Sequence, residues 1–242
     1  MRIEGAAVLV TGASRGLGAA LAGELGRRGA RVVLVARGEE ELFRRVDELR
    51  REGILAHGLR GDVADKQSVY PLLGAACALV GPIDLLVHNA SELGALPLRE
   101  LADTECEDLA RVLETNLVGP FRLTKAAVGW MALRGRGLVL GISSDAAVVG
   151  YPRWGAYGVS KAALDHLLRT WAAELKASGV QFLSVDPGEM DTRMHEDAVP
   201  DADRAQLLQP ASVAREIAGL VARSESFASG ARLELGSLRK AA

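Results

Sequence analysis

The chain has 242 residues, a length that one α/β domain can reach without dividing. Its residues are 49% hydrophobic and 25% charged, proportions that suit a soluble chain with a sizeable core. The formal net charge of −2 lacks the basic excess of a nucleic-acid or membrane binder, so neither partner is expected. Two cysteines, Cys77 and Cys106, share no metal-ligand spacing and read as reduced thiols. The uncharged run from Gln67 to Ile83 is too short and too interrupted to span a bilayer, which takes about 20 apolar residues. The N-terminus, Met1-Arg2-Ile3-Glu4, enters a strand-like stretch without a charged-then-apolar leader, and a cytoplasmic location is expected.

In chain order, the first predicted element is the apolar strand Ala6–Val10. It runs into Thr11-Gly12-Ala13-Ser14-Arg15-Gly16-Leu17-Gly18, followed by a helix over Ala19–Arg28. Strands follow at Arg31–Ala36, at Ile54–Leu59 (the weakest) and at Ile83–Val87. Leu109, Val112, Leu113 and Leu117 recur at helical spacing, with Asn116 on the core-facing side. The strand Gly137–Ile142 precedes Ser144, and Leu164, Leu167, Leu168, Trp171 and Leu175 mark a second long helix. Val180–Val185 and Arg232–Leu235 complete the strands. Such alternation predicts an α/β fold: a doubly wound parallel sheet with helices on both faces, in one domain over residues 1–242. Ligands of such sheets bind at the carboxyl ends of the strands, where the strand order reverses. The motifs that carry chemistry all fall just after predicted strands.

The glycines of the first turn let the backbone bend sharply and approach a pyrophosphate closely. Helix-terminal N–H groups behind them favour an anion, so the loop reads as a nucleotide site. At the end of the second strand, an acidic residue would contact a ribose 2′-hydroxyl; here Ala36 and Arg37 stand instead. A guanidinium holds a 2′-phosphate that a carboxylate would repel, and Arg15 can approach from the loop, so NADP(H) is the expected cofactor.

Tyr157 and Lys161 lie four apart, on one helical face. A neighbouring ammonium favours phenolate, as would the positive ring of an oxidised nicotinamide, so the tyrosine pKa is expected to fall toward the working pH. Among the histidines, His57, His88, His166 and His195 share no ligand spacing, so no metal is expected. His195, just beyond Thr192, is placed to line the substrate mouth but reads more simply as a solvent-facing loop residue, and Glu39–Glu41 as a solvated helix face. Tyr151 and Trp154 are candidate pocket walls.

Taken together, these motifs resemble the short-chain dehydrogenase/reductase family over nearly the whole chain. The TGxxxGxG loop falls on Thr11–Gly18, and the family's Asn–Ser–Tyr–Lys tetrad on Asn116, Ser144, Tyr157 and Lys161, with Ser144 thirteen residues before Tyr157. The resemblance implies a Rossmann-like fold and hydride transfer between a carbonyl compound and its alcohol. It implies a homodimer or homotetramer and a small-molecule carbonyl or alcohol substrate. In that scheme Ser144 binds the carbonyl oxygen, Tyr157 transfers the proton, Lys161 holds the nicotinamide ribose and Asn116 keeps a relay water. Cofactor contacts are implied at Gly12, Ser14, Arg15, Gly16, Leu17, Gly18, Arg37, Asp62, Val63, Asn89, Ala90, Tyr157, Lys161, Pro187, Gly188 and Thr192. One departure stands out: the family's Asn-Ala-Gly is Asn89-Ala90-Ser91 here. A nucleotide-binding sensor or scaffold with the same fold has no physical need of the tetrad. A sugar-nucleotide epimerase or dehydratase would need a larger C-terminal region.

Overall fold

A computed structural model describes residues 1–240. Seven parallel strands form one sheet in the order β3-β2-β1-β4-β5-β6-β7. They are β1 (Ala7–Thr11), β2 (Arg31–Ala36), β3 (Ala56–Arg60), β4 (Leu85–His88), β5 (Gly137–Ile142), β6 (Val180–Asp186) and β7 (Ala231–Glu234). The expected strands are all present, with ends that differ by one or two residues. At β1 the displacement has a cause: the Asp84 carboxylate accepts the Ala7 N–H, and Arg134 in turn pairs with Asp84 at 2.8 Å.

Because side chains alternate across a strand, each strand feeds two cores. Val8, Val10, Val32, Leu34, Leu140 and Val185 face one side, beneath α1 (Gly16–Arg27), α2 (Glu39–Arg51) and α8 (Pro210–Ala222). Leu9, Val33, Leu86, Val139 and Phe182 face the other, beneath α3 (Val69–Val80), α5 (Gly119–Leu133) and α6 (Gly155–Glu174). Strands buried on both faces read as continuous apolar runs, which is why they stand out in the sequence. Among the described residues no helix is long and apolar enough to cross a membrane.

The helical stripe around Asn116 differs from expectation in one respect. Instead of one regular helix, α4 (Cys106–Leu113) passes into a π-helical turn, Glu114–Val118, before α5. Its leucines are only half-buried, while Thr115 and Asn116 are buried. A π turn inserts one residue into the helical repeat and re-aims the side chains after it, a device common at functional sites.

The sheet interior sets a clear stability expectation. Leu34 has no exposed surface. Leu34→Ala should cost about 2–5 kcal/mol through lost burial and a residual cavity, read as a lower urea midpoint at unchanged slope. His88, at the end of β4, is buried against Thr124 (2.8 Å), and desolvation pushes its pKa from 6.5 to about 3. The unfolded chain therefore takes up a proton below pH 6.5 that the native imidazole refuses until about pH 3. Stability should fall with acidification through that window, by about 1.4 kcal/mol per pH unit once well below 6.5. Urea titrations of wild type and His88→Gln across pH 4–7 should show a flatter slope in the variant.

Candidate active site

Strand order reverses between β1 and β4, and the cleft opens there, beyond the carboxyl ends of the strands. Thr11 ties the two ends together. Its hydroxyl donates to the Val87 carbonyl (3.1 Å) and accepts the N–H groups of Asn89 and Ala90, both at 3.1 Å. The Asn89 amide donates back to the carbonyls of Thr11 and Gly12, each at 2.9 Å. That packing explains two of the glycines. A β-carbon on Gly12 would lie 2.7 Å from Ala90 Cα, and one on Gly18 2.4 Å from both the Asn89 amide nitrogen and the Gly12 carbonyl oxygen. Gly12 also has φ of +64°, a conformation open to glycine.

The cleft has a volume of about 1240 Å³ and is lined at one end by Gly12, Ser14, Arg15, Gly16 and Leu17 from the loop. Arg37, Asp62, Val63, Asn89 and Ala90 continue this wall, and Pro187, Gly188 and Thr192 stand opposite. A β-carbon on Gly16 would meet only Thr192, at 3.6 Å, so the loop leaves open space between the two walls. Donor-rich backbone at the start of α1, with arginines beside it, suits a phosphate-bearing group. Gly18 and Asn116 do not line the cleft; they brace it from behind. Arg15 and Arg37 are largely exposed, at 3.9 Å from Glu41 and 4.0 Å from Asp62 respectively. Glu41 lines the same cleft, so it is more than a member of a solvated face. Arg45, which the sequence did not single out, lies there too.

At the other end, Tyr157 and Lys161 are buried side chains of α6, with the Lys161 ammonium 5.4 Å from the Tyr157 ring centroid. Lys161 Nζ donates to the Ile142 carbonyl at 2.8 Å, and burial pushes its pKa down to about 8. The Tyr157 phenol does not follow expectation. Desolvation pushes it up to about 12, the hydroxyls of Ser144 and Ser91 pull the other way, and the carboxylates of Asp186 and Asp145 add to the rise. Burial is the largest of these causes, and it disfavours the phenolate. Ser144 follows β5; its hydroxyl donates to Asp145 Oδ1 (3.0 Å) and accepts the Ala146 N–H (3.2 Å).

Asn116 sits deeper. Its amide donates to the Glu92 carbonyl (2.8 Å) and to Ser160 Oγ (2.9 Å), and its oxygen accepts the Glu92 N–H (2.8 Å). The side chain therefore clamps the segment after β4 onto α6. Ser91, between these anchors, lines the cleft, and its hydroxyl is buried without a regular hydrogen-bond partner. Tyr151 and Trp154 line the cleft as expected. His195 differs from expectation: its side chain is only 13% exposed and faces the cleft. The short helix α7 (Arg193–Ala198) turns it inward from the Thr192 cap, whose hydroxyl accepts the His195 N–H.

Comparison with known proteins agrees with this architecture. The family model described as short chain dehydrogenase matches residues 6–203. A cis-4-hydroxycyclohexanecarboxylate dehydrogenase of Sinomonas cyclohexanicum is 35% identical over 235 residues, 93% of this chain and 92% of the relative. Gluconate 5-dehydrogenase of Gluconobacter oxydans is 34% identical over 201 residues, 83% and 77% of the two chains. Among solved structures, a variant of actinorhodin polyketide ketoreductase with NADPH superimposes with a TM-score of 0.87 at 29% identity, covering 97% and 96%. NAD+-bound xylitol dehydrogenase gives 0.86 at 25% identity, covering 97% and 98%. The glycine loop, the seven-stranded parallel sheet and these matches agree: the chain belongs to the short-chain dehydrogenase/reductase family, whose oxidoreductases act on alcohols and carbonyls.

Proposed function

We propose that this chain is an NADP(H)-dependent oxidoreductase that interconverts a carbonyl compound and its alcohol, with Tyr157 as the general acid and base. The observation that carries the proposal is the meeting of Ser144, Tyr157 and Lys161 at one end of a cleft whose other end is the glycine loop. A bound nicotinamide cofactor supplies or accepts the hydride. Each remaining task falls to a side chain already in place. In the reducing direction, the Ser144 hydroxyl turns its proton from Asp145 Oδ1 to the substrate carbonyl oxygen, and the Tyr157 phenol gives that oxygen its proton. Donors fixed around a developing alkoxide are a large catalytic term because they need no reorganisation as charge builds. Lys161, anchored on the Ile142 carbonyl, keeps donors with which it would hold the nicotinamide ribose. Asn116 holds the wall that carries Ser91 against α6 through its fully engaged amide.

NADP(H) is favoured over NAD(H) by Arg15 and Arg37 at the adenosine end, both largely exposed and held only by long ion pairs, to Glu41 at 3.9 Å and Asp62 at 4.0 Å. Glu41 works against it, and Arg45 beside it for it. Relatives with known cofactors include both kinds, so the preference rests on these side chains. A small or medium carbonyl compound fits between Leu93, Trp154 and Met194, which pack around Tyr157. Phe121 on α5 and Val159 on α6 are exposed, and they support assembly into a homodimer or homotetramer through these helices.

Two expectations follow. Tyr157→Phe should abolish NADPH oxidation in a carbonyl screen while the fluorescence-detected NADPH affinity stays within a fewfold; turnover near the wild-type rate would refute the assignment. Arg15→Ala and Arg37→Ala should each weaken NADPH binding about tenfold or more and leave NADH binding little changed, since a charge-assisted contact to phosphate is lost. Equal NADPH and NADH affinity in the wild type would refute the cofactor preference.

A further inference from the structure

The carboxyl end of β5 is held by a residue far away in sequence. Arg232, on β7, has a side chain only 16% exposed. Its Nη2 donates to the Ser144 carbonyl oxygen at 2.9 Å and to Asp186 Oδ2 at 2.8 Å, and its Nε donates to Asp165 Oδ2 at 3.1 Å. The three acceptors belong to three different elements. Ser144 follows β5. Asp186 ends β6, where its Oδ1 accepts the Gly188 N–H (3.0 Å) and so fixes the Pro187-Gly188 turn. Asp165 lies one turn beyond Lys161 on α6 and also accepts the Ser143 hydroxyl at 2.7 Å. Asp165 and Asp186 are 8% and 4% exposed, so neither charge is screened by water.

We infer that Arg232 is a positioning residue for the reaction: it fixes the Ser144 main chain and cancels the charges of Asp165 and Asp186 behind the Tyr157–Lys161 pair. The inference rests on the proposed roles of Ser144, Tyr157 and Lys161. The guanidinium meets these acceptors from two nitrogens, Nε and Nη2, held apart in one plane, a spacing that the single nitrogen of an ammonium does not reproduce. The charges matter because Tyr157 becomes anionic whenever it gives up its proton. The groups that face its phenol are the Ser144 hydroxyl and the Asp145 carboxylate after β5, the Ser91 hydroxyl after β4, Asp186 from β6 and Lys161 on its own helix. Asp145 is exposed to water and bonded by the Tyr151 hydroxyl at 2.8 Å, so Asp186 is the less screened of the two carboxylates. Lys161 faces Tyr157, the Ile142 carbonyl and Asp165. Without the guanidinium, both aspartates would act on the pair at full strength. A phenolate would then form less readily, and the lysine would hold its proton more tightly.

The test uses Arg232→Gln and Arg232→Lys with two readouts. The first is the pH dependence of kcat/KM for alcohol oxidation, whose midpoint reports Tyr157 in the working enzyme. The second is the titration of Lys161 followed by lysine-selective carbon NMR, with Lys161→Arg to assign the signal, and it needs no substrate. Arg232→Gln is expected to raise both midpoints by about one pH unit, the size typical of an unmasked neighbouring charge. Arg232→Lys should restore both midpoints to near wild type but leave kcat lowered severalfold at unchanged KM, because the hold on Ser144 is not rebuilt. Unmoved midpoints in Arg232→Gln overturn the inference, even if kcat falls, since a purely architectural role would do that. If the wild type turns over no alcohol or carbonyl, the proposed function fails. The Lys161 titration still decides the role of Arg232 in that case: a rise supports it and no change overturns it. Should Arg232→Gln not fold, Asp186→Asn carries the same test with the opposite sign, because removing that carboxylate should lower the Tyr157 midpoint; an unmoved midpoint overturns the inference there as well.

Discussion

The whole site hangs on the joint between β1 and β4. Thr11 satisfies one carbonyl and two N–H groups of the neighbouring strand end with a single hydroxyl, and Asn89 returns two hydrogen bonds to the loop that follows β1. Strands that diverge after a switch point leave backbone polar groups without ladder partners, and burial makes each such group costly. Here side chains take over the missing ladder, which lets the glycine loop turn away toward α1 while the segment after β4 turns toward α6. The cleft is the space between these two departures. The glycine loop and the start of the segment after β4 are therefore fixed to each other by the same few hydrogen bonds.

A second layer of bracing is electrostatic. Tyr157 and Lys161 are buried together, and burial is the largest cause driving both toward their neutral forms, with the phenol pushed up to about 12 and the ammonium down to about 8. Those shifts oppose the separation of charge that proton transfer needs. Hydroxyls from Ser144 and Ser91 act against the tyrosine's shift, while Asp186 and Asp145 reinforce it. The balance leaves the phenol well above its ordinary pKa, so a positive charge placed beside it would favour its anion. The Arg232 network belongs to this balance, since it joins β5, β6, β7 and α6 at the carboxylates that bear most directly on the pair.

Much of this was readable from residues alone, for a simple reason. Central parallel strands are buried on both faces, so Val8–Val10, Val32–Val35 and Leu138–Leu140 appear as apolar runs that turn residues bound. The glycine loop and the Tyr157–Lys161 spacing are likewise local: each motif sets its own geometry within one turn or one helical repeat. Asn116 was found as a buried amide, but its π turn was not, because the leucine stripe on either side keeps an ordinary helical period and the extra residue shows only in the backbone bonds. The tyrosine's environment is hidden for a related reason. Its lysine neighbour is visible four residues on, whereas desolvation, the largest cause of its upward shift, depends on the elements packed around α6.

By itself the sequence determined the α/β class, the strands, the order of the motifs and the family to which they belong, since each depends on residues close together in the chain. Tertiary structure alone decided which polar groups meet. Arg232 reaches Ser144 across 88 positions, Asp165 across 67 and Asp186 across 46. It brought the Ser91 hydroxyl within reach of the Tyr157 phenol, turned His195 inward and set Glu41 beside Arg15. No periodicity or spacing encodes such contacts, because they arise where separate strand ends converge after the sheet has formed.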